Sequence, residues 1–192
     1  MNRLFAAFAM LPLSCGVVHA ESLVYRIDPE HTFPSFEADH MAGLSVWRGK
    51  FNRTSGSVTL DTAAKTGSVD IGIDMTSVDF GHDVLNEHIQ KPDFFDVLRF
   101  PQARYTGRLE GFRKGGPTRV VGELTLHGVT WPVELKILQF KCMPHPMLKR
   151  EVCGADAIAT LDREQFGIGA GKDWGFDMRV VLRIQVEAVA EP

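Results

Sequence analysis

Residues 179–188 read RVVLRIQVEA. Val180, Leu182, Ile184, Val186 and Ala188 fall at every second position, with Arg183, Gln185 and Glu187 between them. A period of two sends one set of side chains to one face of an extended strand and the rest to the other. One face is therefore apolar and the other is wet. At about 3.3 Å per residue such a strand runs roughly 30 Å, long for a sandwich and suited to a barrel stave.

The same rhythm recurs along the chain. Val69, Ile71, Ile73 and Met75 alternate with Asp70, Gly72 and Asp74; Gly122, Leu124 and Leu126 alternate with Glu123 and Thr125. Val133, Leu135 and Ile137 alternate with Glu134 and Lys136. Further strands are expected around 23–28, 31–40, 45–52, 56–60, 103–112 and 153–162. Gly67, Gly115-Gly116-Pro117, Gly128 and the Pro144–Pro146 loop mark turns between them. One segment departs from the pattern. In His82–Gln90, Val84, Leu85, His88 and Ile89 stand at helical spacing, and Pro92–Asp96 reads as a second short helical turn. Many antiparallel strands in one domain remove their exposed edges by closing. The expected fold is all-β and mainly antiparallel: a lipocalin-like, eight-stranded extended β-barrel with a short helical insert at about 82–96. A β-sandwich is the alternative.

The first twenty residues read as a signal peptide: Arg3 gives the positive start, Leu4–Leu13 the apolar stretch, and Val18-His19-Ala20 the cleavage site. The apolar stretch is too short to span a bilayer, and Pro12 interrupts it. Leu11–Cys15 resembles a lipobox, but proline occupies its aliphatic position. Residues 21–192 then form one domain, and the expected location is the periplasm. The whole chain carries a net charge of −3 with no basic run, which argues against nucleic acid and anionic membrane surfaces as partners. Outside the leader two cysteines remain, Cys142 and Cys153. In an oxidising compartment an even pair reads as a disulfide, and their spacing fits neither a redox nor a zinc motif.

Catalytic and metal patterns are absent from the sequence. It has no G-x-S-x-G elbow, no H-E-x-x-H and no phosphate-binding loop. His31 and His40 lie nine apart, about 30 Å along a straight strand, too far to share a metal. His82 and His88 lack the i, i+4 spacing of a zinc helix. The histidines read as hydrogen-bonded pins of loops, and Asp28 and Asp93 as acceptors for turn and cap amides.

Several blocks together resemble the YceI-like family of lipocalin-like, polyisoprenoid-binding proteins. These are Tyr25-x-Ile27-Asp28-x-x-His31-Thr32-x-x-x-Phe36-x-x-x-His40, Gly49-x-Phe51, Ser77-Val78-Asp79, Asn86-Glu87-His88 and Asp93-Phe94-Phe95-Asp96 with Phe100-Pro101. The most specific is Gly122-x-Leu124-Thr125-Leu126-His127-Gly128-Val129-Thr130-x-Pro132-Val133, and Arg163-x-x-Phe166-Gly167 closes the series. The resemblance implies a barrel with a deep, narrow apolar interior that binds long-chain polyisoprenoids, quinone-like molecules or fatty amphiphiles in the periplasm, without enzymatic activity. It also admits a membrane redox protein as partner, for which no residue here speaks. Two features depart from the family. Pro34 stands at a usually aliphatic position, so the first long strand should be bulged or at an open seam. Such a seam leaves edges that a second copy would cover in a homodimer, which the sequence does not decide. The cysteine pair and its proline-rich loop are the other departure.

On this reading the tunnel walls are Phe36, Trp47, Phe51, Ile71, Ile73, Met75, Phe94, Phe95, Leu124, Leu126, Ile137 and Phe176, with His40 and His88 at a polar mouth that hydrogen-bonds a head group. No catalytic residue, metal or cofactor is expected beyond the bound lipid itself. Two other functions compete: an acyl-ester hydrolase using Ser77 with a histidine, and a filled-barrel stress or interaction protein with no cavity.

Overall fold

Val69, Ile71 and Ile73 do turn to one side, the inside of a barrel. The computed structural model describes residues 22–192; the leader expected at Met1–Ala20 lies outside them. Eleven strands run in chain order: β1 Leu23–Ile27, β2 Ser35–His40, β3 Ser45–Phe51, β4 Thr54–Asp61, β5 Thr66–Asp74, β6 Val78–Asp79, β7 Gln102–Glu110, β8 Arg119–Leu126, β9 Val129–Pro144, β10 Glu151–Asp162 and β11 Arg179–Ala190. Eight of them follow the order β1-β4-β5-β7-β8-β9-β10-β11, every neighbour antiparallel. Pairing of β1 with β11 at Tyr25–Ala190 and Ile27–Ala188 closes the ring. That closure settles barrel over sandwich.

The strand expected over 31–40 is shorter than its pattern. Residues 28–34 leave the ladder, and β2 resumes against the other end of β11, with Val180 opposite Ala38. Pro34 supplies no N–H, but its carbonyl accepts from the amide of Phe51 at 2.9 Å. Opposite the gap, the buried Thr32 hydroxyl donates to the carbonyl of Glu187 and accepts from its amide, both at 3.1 Å. A side chain thus takes the place of the missing strand. Beyond β2, β3 and the two-residue β6 extend the sheet as a flap.

Local chemistry sets the turns. His127 and Gly128 join β8 to β9 in a two-residue hairpin with φ of 53° and 75°, the left-handed pair that such turns need. The helical insert is α1, Asp83–Ile89, whose N-cap is His82; its ring nitrogen accepts from the amide of Leu85 at 3.2 Å. Pro92–Asp96 is a hydrogen-bonded turn rather than a helix, with the amides of Phe94 and Asp96 both donating to the carbonyl of Lys91. Met75, Phe51, Val78, Val97 and Ala103 form a small core beneath this insert, and Phe36, Ile89 and Phe95 pack on it. The larger core fills the barrel wall from Tyr25 to Ala190. Cys142 and Cys153, directly opposite on β9 and β10, are joined in a disulfide with Cα atoms 4.0 Å apart.

Candidate lipid-binding tunnel

The inward side chains do not fill the barrel. Two chambers lie inside, one of about 340 Å³ at the end carrying the helical insert, the other of about 140 Å³ reaching toward the disulfide. Pro34, Ile73, Leu124, Leu182 and Ile184 border both, so the chambers meet at a common waist. Such volumes far exceed a packing defect, and the wide chamber falls in the range of small-molecule sites.

Strand alternation places most of the wall. From β2 and β3 come Phe36, His40, Trp47 and Phe51; from β5 and the turn after it, Ile73 and Met75; from β8, Leu124 and Leu126. The insert adds His88, Phe94 and Phe95, and the loop before β11 adds Phe176. Ile71 and Ile137 line the inner chamber. All twelve apolar residues named from the sequence therefore stand on one chamber or the other, and His40 and His88 both stand on the wide one. The aromatic rings are mutually packed. Phe36 lies 5.7 Å from Phe51 and edge-on to Phe80 at 5.5 Å. His40 stacks on Trp47 at 4.6 Å and meets Phe176 edge-on at 5.3 Å. Trp174, 79% exposed, continues this row to the surface.

Sequence reasoning passed over several wall residues. Leu182 and Ile184 were legible as inward positions of β11. Phe80 lies in a loop and Trp174 in the three-residue 3-10 helix Lys172–Trp174, neither with a period to read, and Tyr105 sits in a strand located only approximately. Tyr105 narrows the inner chamber; its hydroxyl donates to the carbonyl of Val133 at 2.8 Å, and burial raises its pKa. The ring has space because position 122 is glycine. A Cβ there would sit 2.8 Å from the Tyr105 hydroxyl and 2.4 Å from the carbonyl of Thr106.

The polar groups on the walls are few and mostly engaged. The carboxylate of Asp39 accepts from the amides of Gly43 at 2.7 Å and Asp177 at 2.9 Å. Arg163 donates from its two Nη atoms to the carbonyls of Ile168 and Ala170, and burial lowers its pKa. The histidines away from the chambers pin turns: His31 pairs with Asp28 at 2.8 Å, His145 accepts from the amides of Met147 and Leu148, and His127 bonds the carbonyl of Phe166 at 3.0 Å. Asp28 also accepts from the amide of Glu30, while Asp93 has no hydrogen bond among the described residues.

Ser77 is ill placed as a nucleophile. It is buried, its hydroxyl proton goes to the carbonyl of Asp74 at 2.6 Å, and its oxygen accepts from the amide of Arg53. A nucleophile needs that proton directed at a base. The closest grouping of metal-type ligands among the described residues is Cys142, Glu151 and Cys153, whose sulfurs are spent on the disulfide.

Comparison with known proteins agrees with this architecture. A UPF0312 protein of Pseudomonas putida is 30% identical over 195 residues, covering 100% of this chain and 99% of that one. Protein YceI of Escherichia coli is 35% identical over 132 residues, 67% of each chain. Among solved structures, BcnA of Burkholderia cenocepacia superposes with a TM-score of 0.66 at 24% identity, over 84% of this chain and 99% of that one. A polyisoprenoid binding domain from Saccharophagus degradans gives 0.65 at 19% identity, over 88% and 99%. A model of the YceI-like domain matches residues 25–188, and the chain belongs to that family.

Proposed function

We propose that this protein is a periplasmic carrier or scavenger that holds a long-chain polyisoprenoid, quinone-like molecule or fatty amphiphile inside its barrel. The observation that carries the proposal is the pair of apolar chambers meeting at one waist. A tail threaded through both would exchange water for aliphatic and aromatic walls over its whole length, which is the dominant favourable term for an apolar ligand. The likeness to a domain described as polyisoprenoid binding supports the same class of tail. The leader expected at Met1–Ala20 supports the compartment. The two open chambers disfavour a filled barrel, and the engaged hydroxyl of Ser77 disfavours the hydrolase. The role is binding, with no cofactor beyond the lipid, and the family resemblance leaves room for a membrane redox protein as partner.

Trp47 and Trp174 both border the wide chamber, so a quinone seated there lies within quenching range of two indoles. Titration with decylubiquinone should quench tryptophan emission saturably, at one molecule per chain, and Trp47→Phe should remove part of the signal without loss of binding. Linear, unsaturable quenching would refute the proposal.

A further inference from the structure

Arg163 is an unusual wall for a tunnel meant for hydrocarbon. It follows β10 directly and borders the wide chamber beside Leu161, Ile168 and Phe176. Its turn is held from several sides. The carboxylate of Asp162 accepts from the amide of Glu164 at 2.9 Å, Gly167 turns left-handed with φ of 77°, and His127 holds the carbonyl of Phe166. The guanidinium is thus fixed in place rather than free to swing into solvent.

Its hydrogen bonding is incomplete. One Nη donates to the carbonyl of Ile168 at 3.0 Å and the other to that of Ala170 at 2.5 Å. A guanidinium carries five N–H donors, so the Nε–H and one proton on each Nη remain. Among the described residues no carboxylate makes an ion pair with it: the adjacent Asp162, whose charge favours the cation, accepts from the amide of Glu164 instead, and Asp39, the carboxylate on the same chamber, is committed to two backbone amides. Leaving a half-buried cation beside apolar walls without a directly bonded carboxylate is costly, and an incoming anion would relieve that cost.

Resting on the carrier reading above, we infer that Arg163 receives an anionic head group, a carboxylate or phosphate, while the tail runs past the waist into the inner chamber. The fork of a guanidinium matches both anions, and charge-assisted hydrogen bonds are the strong ones. The ligand class is then an acidic amphiphile, a prenyl phosphate or a fatty acid, rather than a neutral prenol or amide. His40 and the aromatic row toward Trp174 line the same chamber.

Matched tails test this. Binding of farnesyl monophosphate and farnesol, and of palmitate and 1-hexadecanol, is measured on the full mature chain and on Arg163→Gln. The unmodified protein should bind each acidic ligand about tenfold or more tightly than its alcohol, the usual range for one hydrogen bond to a charged group. Arg163→Gln should bring each ratio within about twofold, with the acids losing more affinity than the alcohols. A preference for only one acid tells phosphate from carboxylate. Because the guanidinium also holds two loop carbonyls, the unmodified protein supplies a second readout. Its Arg163 Nε–H signal in ¹⁵N NMR should move on adding farnesyl monophosphate and stay still with farnesol. Equal binding of acid and alcohol, a ratio kept in folded Arg163→Gln, or an unmoved Nε–H signal overturns the inference while the carrier reading stands. Failure of all four ligands to bind overturns the carrier reading instead.

Discussion

Leu182 borders both chambers and stands between Ala159 of β10 and Phe36 of β2, so Leu182→Trp places an indole across the waist. An apolar cavity of about 150 Å³ accepts one benzene. On that scale the inner chamber of about 140 Å³ takes about five or six carbons, and the wide one of about 340 Å³ takes about thirteen or fourteen. Each buried CH₂ contributes about 0.8 kcal/mol, so six contribute roughly 4–5 kcal/mol. Ordering the tail offsets part of this, leaving about a hundredfold in affinity. The unmodified protein should therefore bind arachidate, with twenty carbons, about a hundredfold more tightly than myristate, with fourteen. In Leu182→Trp the myristate affinity should stay within about threefold, and the advantage of arachidate should shrink below about tenfold. The assay is competition against a fluorescent fatty acid, with thermal unfolding to confirm that the variant folds. Overpacking costs about 1–3 kcal/mol in a filled core, and the adjoining space lowers it here. A folded variant that keeps the full advantage of arachidate would refute the idea that the two chambers form one tunnel.

Other predictions concern the frame. Arginines hold Glu37, Asp70 and Asp177 below the usual carboxylate range, chiefly through hydrogen bonds from Arg183, Arg104 and Arg179. Groups depressed this way stabilise the fold above their unfolded values, near pH 4, and that contribution is lost as pH falls through the folded values. The melting temperature should thus drop below about pH 4.5, and a flat profile down to pH 3 would contradict it. His31 acts in the opposite sense: its bond to Asp28 raises its pKa, so its contribution is present below about pH 6.5 and lost as pH rises through the folded value. Reducing Cys142–Cys153, which lie 11 residues apart, should cost up to about 3 kcal/mol, about 6–12 °C in melting temperature; calorimetry with and without reductant reads it. Thr32→Val keeps the shape but removes the hydroxyl bonded to the amide of Glu187, and should lower stability by about 1–3 kcal/mol in denaturant titration.

Much of the barrel was legible because one physical rule, alternation, operates over long strands. The period in β5 and β8 marks both the strand and its inward face, so Ile71, Ile73 and Leu124 could be assigned to the wall before any contact was known. The rule failed where a side chain replaced backbone. Residues 28–34 carry a strand-like pattern, yet Thr32 bonds β11 through its hydroxyl, and no local pattern records that substitution. Strand β9 exceeds its expected core at both ends, because the hairpin with β8 pairs Val129–Pro132 and the ladder with β10 that carries the disulfide continues to Pro144. Arg163 appeared only as part of a motif. Its meaning depends on which of its donors meet backbone carbonyls and which meet no carboxylate, a fact of three dimensions.

The most direct test of the central claim is native mass spectrometry of the purified protein, with organic extraction of whatever it carries. The account predicts one apolar passenger per chain, with a prenyl or acyl tail long enough to enter both chambers. An empty protein that also refuses added prenyl phosphates, quinones and fatty acids would contradict it.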